Sequence, residues 1–153
     1  MIKGAPAVRP AYFPRLATER VDIALCRAST LVARAAETHA GAHGLGVGQH
    51  LVLKMLESQG PCSQQALSEE LRIDRSVMVG VCDDLESAEY VRRERNPHDR
   101  RSYAVTITDA GRARLAEAEA TVADFLDDTF APLTAAERAQ LAGLLGKLLH
   151  VAD

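Results

Sequence analysis

The sequence predicts a mainly α-helical chain that carries one short two-stranded β hairpin. Helix formers dominate: Ala, Leu, Glu and Arg are abundant, Trp is absent and aromatic residues make up only 4%. Apolar residues recur at spacings of three and four along most of the chain, the period of packed helices. Residues 90–108, YVRRERNPHDRRSYAVTIT, depart from that period. There two strand-like stretches, Tyr90–Arg95 and Ser102–Thr108, flank a tip that contains Asn96-Pro97. With 153 residues and 47% hydrophobic content, one packed core and a single domain are expected.

The elements follow in order. Residues 1–13 show little periodicity and are expected to form an arm. Pro14 suits the first turn of a helix, after which Val21, Leu25, Ala28, Val32 and Ala35 repeat at spacings of four and three. The run from Ala40 to Gly44 is expected to break that helix. A second helix, about Val47–Ser58, is apolar nearly all round (Leu51, Val52, Leu53, Met55, Leu56) and should be central and buried. Gly60-Pro61 ends it. Ser63 can cap a short helix through Leu71, and Asp74 can cap the next, which runs to about Ala88 with Val77, Val81 and Leu85 inward. After the hairpin, Thr108-Asp109 opens a long helix to about Phe130, with Leu115, Ala118, Val122, Phe125 and Leu126 along its inner stripe. Pro132 stops it. Thr134-Ala-Ala-Glu137 is a capping box for a last helix bearing Leu141, Leu144, Leu145, Leu148 and Leu149.

Charge is distributed unevenly. The chain has a formal net charge of −3, yet five arginines fall within residues 92–101. A cationic hairpin on an acidic protein suits a finger that tracks phosphates, although arginines can also simply keep an edge strand from aggregating. Any nucleic-acid contact must therefore be local. No apolar run approaches the roughly 18 residues of a membrane span, and the N-terminal stretch lacks a signal-peptide core, so a cytoplasmic location away from membranes is expected. Cys26, Cys62 and Cys82 form no CxxC pair and read as reduced thiols. There is no GxSxG, HExxH, Walker-type loop or dinucleotide turn, so neither enzymatic activity nor a cofactor is expected.

Two short helices joined by a tight turn and followed at once by a hairpin make a winged helix-turn-helix. In such motifs the second helix enters the major groove and the hairpin reaches a neighbouring backbone or minor groove. The expected inward set leaves Arg75, Ser76, Val79 and Gly80 facing outward. Arg75 and Ser76 can bond phosphates or base edges, Val79 can touch a thymine methyl, and Gly80 removes bulk. Ser63, Arg93, Arg95, His98, Asp99, Arg100 and Arg101 complete the candidate DNA-binding set. Asp83 and Asp84 would be tolerated only if their end of the helix points away from DNA.

In these features the sequence resembles the MarR family of transcriptional regulators. The resemblance runs from about Leu45 to Gly111 and includes Leu45-x3-Gln49, Leu67, Leu85-Glu86 and Tyr90-Val91-x-Arg93. Its most specific parts are Asp99-Arg100-Arg101 at the wing tip and Val105-x-Ile107-Thr108-x2-Gly111 beyond it. It implies a homodimer whose first and last helices, within residues 1–44 and 109–153, interdigitate, with residues 45–108 as the DNA-binding lobe. It also implies binding to pseudo-palindromic double-stranded operator DNA, repression, and release by a small aromatic or phenolic ligand bound between the dimerisation helices and the lobe. Carried over from the family, Asp99 positions Arg101, with Arg100 beside it. For the ligand, Tyr12, Arg15 and His50 are plausible partners.

The chain departs from the family pattern at three places. Glu89 stands where Gly usually ends the recognition helix, Val79-Gly80 replaces a polar or basic pair, and Gly46 replaces a Ser or Thr cap. A peroxide-sensing cysteine of the family aligns with Asp22 rather than Cys26, so Cys26 and Cys82 are expected to be inert. His39 and His43 are four apart, but Gly41 and Gly44 are expected to break the helix beneath them, which weakens a metal site. A thiol-redox or metal-responsive regulator on the same scaffold is one alternative. A helical interaction protein that does not bind DNA is another.

Overall fold

A computed structural model describes residues 12–96 and 99–150, and the side chains of Tyr12 and Arg100 lie outside what it describes. The described residues fall into two compact units that divide between Ala35 and Ala36. Its elements run α1 (Tyr12–Glu19), α2 (Val21–His43), α3 (Val47–Gln59), β1 (Cys62–Ser63), α4 (Gln64–Leu71), α5 (Arg75–Ser87), β2 (Val91–Asn96), β3 (Asp99–Ile107), α6 (Asp109–Glu119), α7 (Val122–Thr129) and α8 (Ala135–Leu148). The fold is mainly helical with a small antiparallel sheet.

The long N-terminal helix expected from the periodicity is present but interrupted at Arg20. The interruption is slight, since Arg20 N still donates to Leu16 O (2.9 Å) and its carbonyl accepts from Ala24 N (3.0 Å). The expected break at Gly41 does not occur. The helix passes through Gly41 to His43 and stops at Gly44, whose φ of 71° is left-handed. The long helix after the hairpin is also two: α6 ends at Glu119, and Thr121 N donates to Ala118 O in a tighter turn before α7 begins.

In the second unit the core lies beneath the helix-turn-helix. Val52, Leu53 and Leu56 of α3 meet Leu67 of α4, Leu85 of α5, Val105 of β3 and Leu115 of α6. Within α3, however, Leu51 is exposed and Met55 only partly buried, so that helix is less enclosed than its composition implies. The inward stripe of α5 also differs from expectation. Met78, Cys82 and Leu85 are buried, whereas Val77 is 54% exposed. The stripes 77-81-85 and 78-82-85 share Leu85 and both satisfy helical spacing, so periodicity could not separate them.

The sheet has three strands in the order β1-β3-β2, one more than the hairpin alone. Cys62 and Ser63 pair with Val105 and Ala104, fastening the wing's second strand to the start of α4. In the wing itself Val91 lies opposite Ile107 and Arg95 opposite Tyr103, with an irregularity between Arg95 and Asn96.

Candidate nucleic-acid interface and apolar pocket

The turn between α4 and α5 is held from both sides. Ser63 Oγ accepts from Ala66 N (3.1 Å) and caps α4. The helix ends on Arg72 in the left-handed region (φ 52°), Ile73 N donates to Ser68 O, and the buried Ser68 hydroxyl donates to Ile73 O at 2.9 Å. These bonds aim the start of α5. Asp74 occupies its N-cap position but makes no side-chain capping bond, contrary to the sequence expectation.

On α5, Met78, Cys82 and Leu85 lie in the core, and Arg75, Ser76, Val79 and Gly80 are exposed together with Val77. A Cβ on Gly80 would meet open space. The long guanidinium of Arg75 is held only loosely, 3.8 Å from Glu69. Burial pushes the Cys82 thiol upward in pKa, with the nearby Arg93 charge opposing it, and burial also raises Cys62. Both are poor thiolates at neutral pH.

The recognition helix ends where Glu89 takes a φ of 61°, a left-handed position usually occupied by glycine. Thr108 Oγ1 donates to Glu89 O at 2.7 Å, and Thr108 N donates to Tyr90 O at 3.0 Å. The same hydroxyl accepts from Gly111 N and caps α6. Gly111 packs so closely that an added Cβ would collide with the Tyr90 carbonyl oxygen and lie 2.9 Å from Ile107 Cγ1. That close approach explains why a glycine follows Thr108 at this spacing.

At the wing tip, Asp99 Oδ1 accepts from Arg101 N at 3.0 Å, so the carboxylate shapes the turn that carries the exposed Arg101. Arg95 is also exposed. His98 lies outside the described residues. Arg93, another of the candidate DNA-binding residues, is engaged within the protein. Its side chain is only 24% exposed and its guanidinium is engaged by Glu86, Asp83 and Gln64. Ser63, Gln64, Arg93, Asp99 and Tyr103 line a polar cleft between the start of α4 and the wing. The sequence carried no mark of Gln64 or Tyr103, because neither belongs to a periodic or charged pattern.

A second concavity is mostly apolar. The last turns of α2 (His39, Ala40, His43), His50 and Leu51 of α3, and Thr121, Val122 and Phe125 line it. His39 and His43 do share a helix face, their ring centroids 4.5 Å apart, and His39 also lies 4.9 Å from the Phe125 ring. The Thr121 hydroxyl gives its proton to Ala118 O, so it accepts from His39 Nε2 at 2.9 Å. His50 Nε2 meets Glu119 Oε1 at 2.8 Å, and Lys54 Nζ meets the same oxygen at 2.9 Å. The Lys54 bond, then the His50 bond, hold the Glu119 carboxyl below its usual pKa. Arg15 belongs to the other unit, where it lies 3.5 Å from Glu19 with both side chains exposed.

Comparison with known proteins bears on this geometry. The MarR family model matches residues 45–103. A putative transcriptional regulatory protein for the hcr operon of Thauera aromatica is 34% identical over 113 residues, 74% of this chain and 68% of that protein. The solved structure of Bordetella bronchiseptica BpsR, whose DNA binding is regulated by 6-hydroxynicotinic acid, is 30% identical, with a TM-score of 0.78 over 89% of this chain and 96% of that one. A probable transcriptional regulator from Pseudomonas aeruginosa is 29% identical, with a TM-score of 0.77 over 86% and 98%. The span matched by the family model holds both helices of the motif and the wing tip, and this chain belongs to the MarR family of transcriptional regulators.

Proposed function

We propose that the protein is a homodimeric repressor that binds pseudo-palindromic operator DNA and is released by a small aromatic ligand. The observation that carries the DNA reading is the split of α5 into a buried stripe, Met78, Cys82 and Leu85, and an exposed face, Arg75, Ser76, Val79 and Gly80. A helix so anchored can present that face to a major groove without disturbing its own core. Arg95, Arg100 and Arg101 on the wing supply phosphate or minor-groove contacts, and the Ser63 hydroxyl at the head of α4 a further phosphate bond. Two-fold pairing is supported by α8, which has no buried residue and leaves Leu144, Leu148 and its C-cap Leu149 exposed.

Effector binding is assigned to the apolar pocket that includes His50, Thr121 and Phe125. Aromatic rings and imidazoles along an apolar wall suit a small planar molecule with a polar substituent, the class to which the BpsR regulator 6-hydroxynicotinic acid belongs. Release requires that the ligand favour a dimer whose recognition helices no longer fit the half-sites; equal affinity for both shapes would shift nothing.

The test is selection of binding duplexes from a random DNA library, followed by titration of hydroxylated aromatic carboxylates and N-heteroaromatics into the complex. Enrichment of an inverted repeat and ligand-driven release are expected, with release weakened in His50→Ala. Failure to enrich any sequence would overturn the DNA reading. An active ligand that releases DNA equally well from His50→Ala would overturn the pocket assignment alone.

A further inference from the structure

Among the described residues of the wing Arg93 is the most heavily engaged cation, and its partners come from two other elements. Its backbone N donates to Glu86 Oε1 at 3.2 Å while its Nη1 donates to Glu86 Oε2, so one carboxylate grips both the strand and its side chain. Its Nη2 donates to Asp83 Oδ1 at 2.6 Å and to Gln64 Oε1 at 3.1 Å. Gln64 is the first residue of α4, and Asp83 and Glu86 lie in the C-terminal half of α5. A single planar guanidinium therefore joins the wing to both helices of the motif. Lysine could not reproduce this, because a point charge lacks the fixed fork of donors.

We infer that Arg93 is a positioning residue that sets the distance between the wing-tip arginines and the exposed face of α5, and so governs sequence preference rather than phosphate attraction. The inference rests on the DNA-binding proposal above. Two consequences follow from the geometry. Arg93 is spent on internal acceptors, so it contributes little to counterion release. It also neutralises two α5 carboxylates, Asp83 and Glu86, within the protein. Tying strand to helix fixes where Arg101 falls when α5 is seated, and a wing displaced from its register loses the operator before it loses DNA in general.

The discriminating variant is Glu86→Gln, whose electrostatic and positional effects have opposite signs. Removing a negative charge near DNA and freeing Arg93 should strengthen binding to every duplex and steepen the salt dependence, by about 0.9 in log–log slope for one more neutralised phosphate, if Arg93 is a phosphate ligand held in reserve. If Arg93 positions the wing, Glu86→Gln instead lowers the ratio of operator to scrambled-duplex affinity, by about tenfold, with the slope unchanged. Arg93→Lys keeps the charge but not the fork and should show the same loss of preference, with thermal melts confirming that each variant stays folded. The probes are a duplex enriched from a random library by the unaltered protein and a scrambled duplex of equal length and composition. An unchanged affinity ratio in folded Arg93→Lys, or tighter binding with a steeper slope in Glu86→Gln, would overturn the inference. Absence of any enriched duplex for the unaltered protein would overturn the DNA reading and this inference with it, so the two failures are distinguishable.

Discussion

At the scale of single residues, three positions separate what the fold needs from what the groove needs. Gly80 sits in mid-helix with open space where a Cβ would be. Gly80→Ala should therefore stabilise the protein by about 0.5–1 kcal/mol through backbone entropy, while weakening operator binding if α5 packs closely in the groove. Denaturant melts and binding isotherms on the same sample check both halves; stabilisation with unchanged DNA affinity would remove Gly80 from the interface. Gly111 is the reverse case. Gly111→Ala drives a methyl into the Tyr90 carbonyl and Ile107 and should cost about 1–3 kcal/mol, measurable as a lowered melting midpoint. Glu89 holds a left-handed φ of 61°, so Glu89→Gly should stabilise by up to about 1 kcal/mol. A destabilised Glu89→Gly protein would mean that its side chain contributes more than the strain removes.

At the scale of elements, the helix-turn-helix and wing were legible because their signals are local. The Ser63 cap, the breaker Gly60-Pro61 and the alternation of the two wing strands each act within a few residues. Non-local facts were not legible. Two apolar stripes competed on α5, and only packing against α3 and α4 selects Met78 and Cys82 over Val77. Strand β1 is two residues long and exists only through its pairing with β3. Arg93 looked like another wing cation because its partners Gln64 and Asp83 are 29 and 10 residues away. The link between α3 and α6 was hidden for the same reason. Glu119 has its carboxyl pKa lowered by Lys54 and then His50, so its contribution to stability is present above the ordinary carboxylate range, near 4.3, and is lost as pH falls through the lower folded value. Glu119→Gln should therefore flatten the acid limb of the stability–pH curve, read from denaturant midpoints between about pH 3 and 6. An unchanged acid limb would show that the His50–Glu119–Lys54 cluster adds no pH-dependent stability.

At the scale of the whole molecule, the proposal requires two motifs held at a fixed spacing. Deleting the chain after Pro132 removes the exposed leucines of α8 and should abolish dimerisation, seen as a halved mass in sedimentation; a soluble, folded and dimeric truncation would contradict that assignment. Charge also acts at this scale. On a chain of net charge −3, attraction to DNA must come from a local patch, and the wing is the densest one. Replacing Arg100 and Arg101 with Ala should weaken binding to every duplex and reduce the salt slope by about 0.9 for each phosphate left unneutralised. The most direct test of the central claim is the stoichiometry and salt dependence of the unaltered protein on its selected duplex. One dimer per inverted repeat is expected, with half-sites about one DNA turn, roughly 34 Å, apart and an affinity that falls steeply with salt. A monomer bound to a single site, or an affinity indifferent to salt, would contradict it.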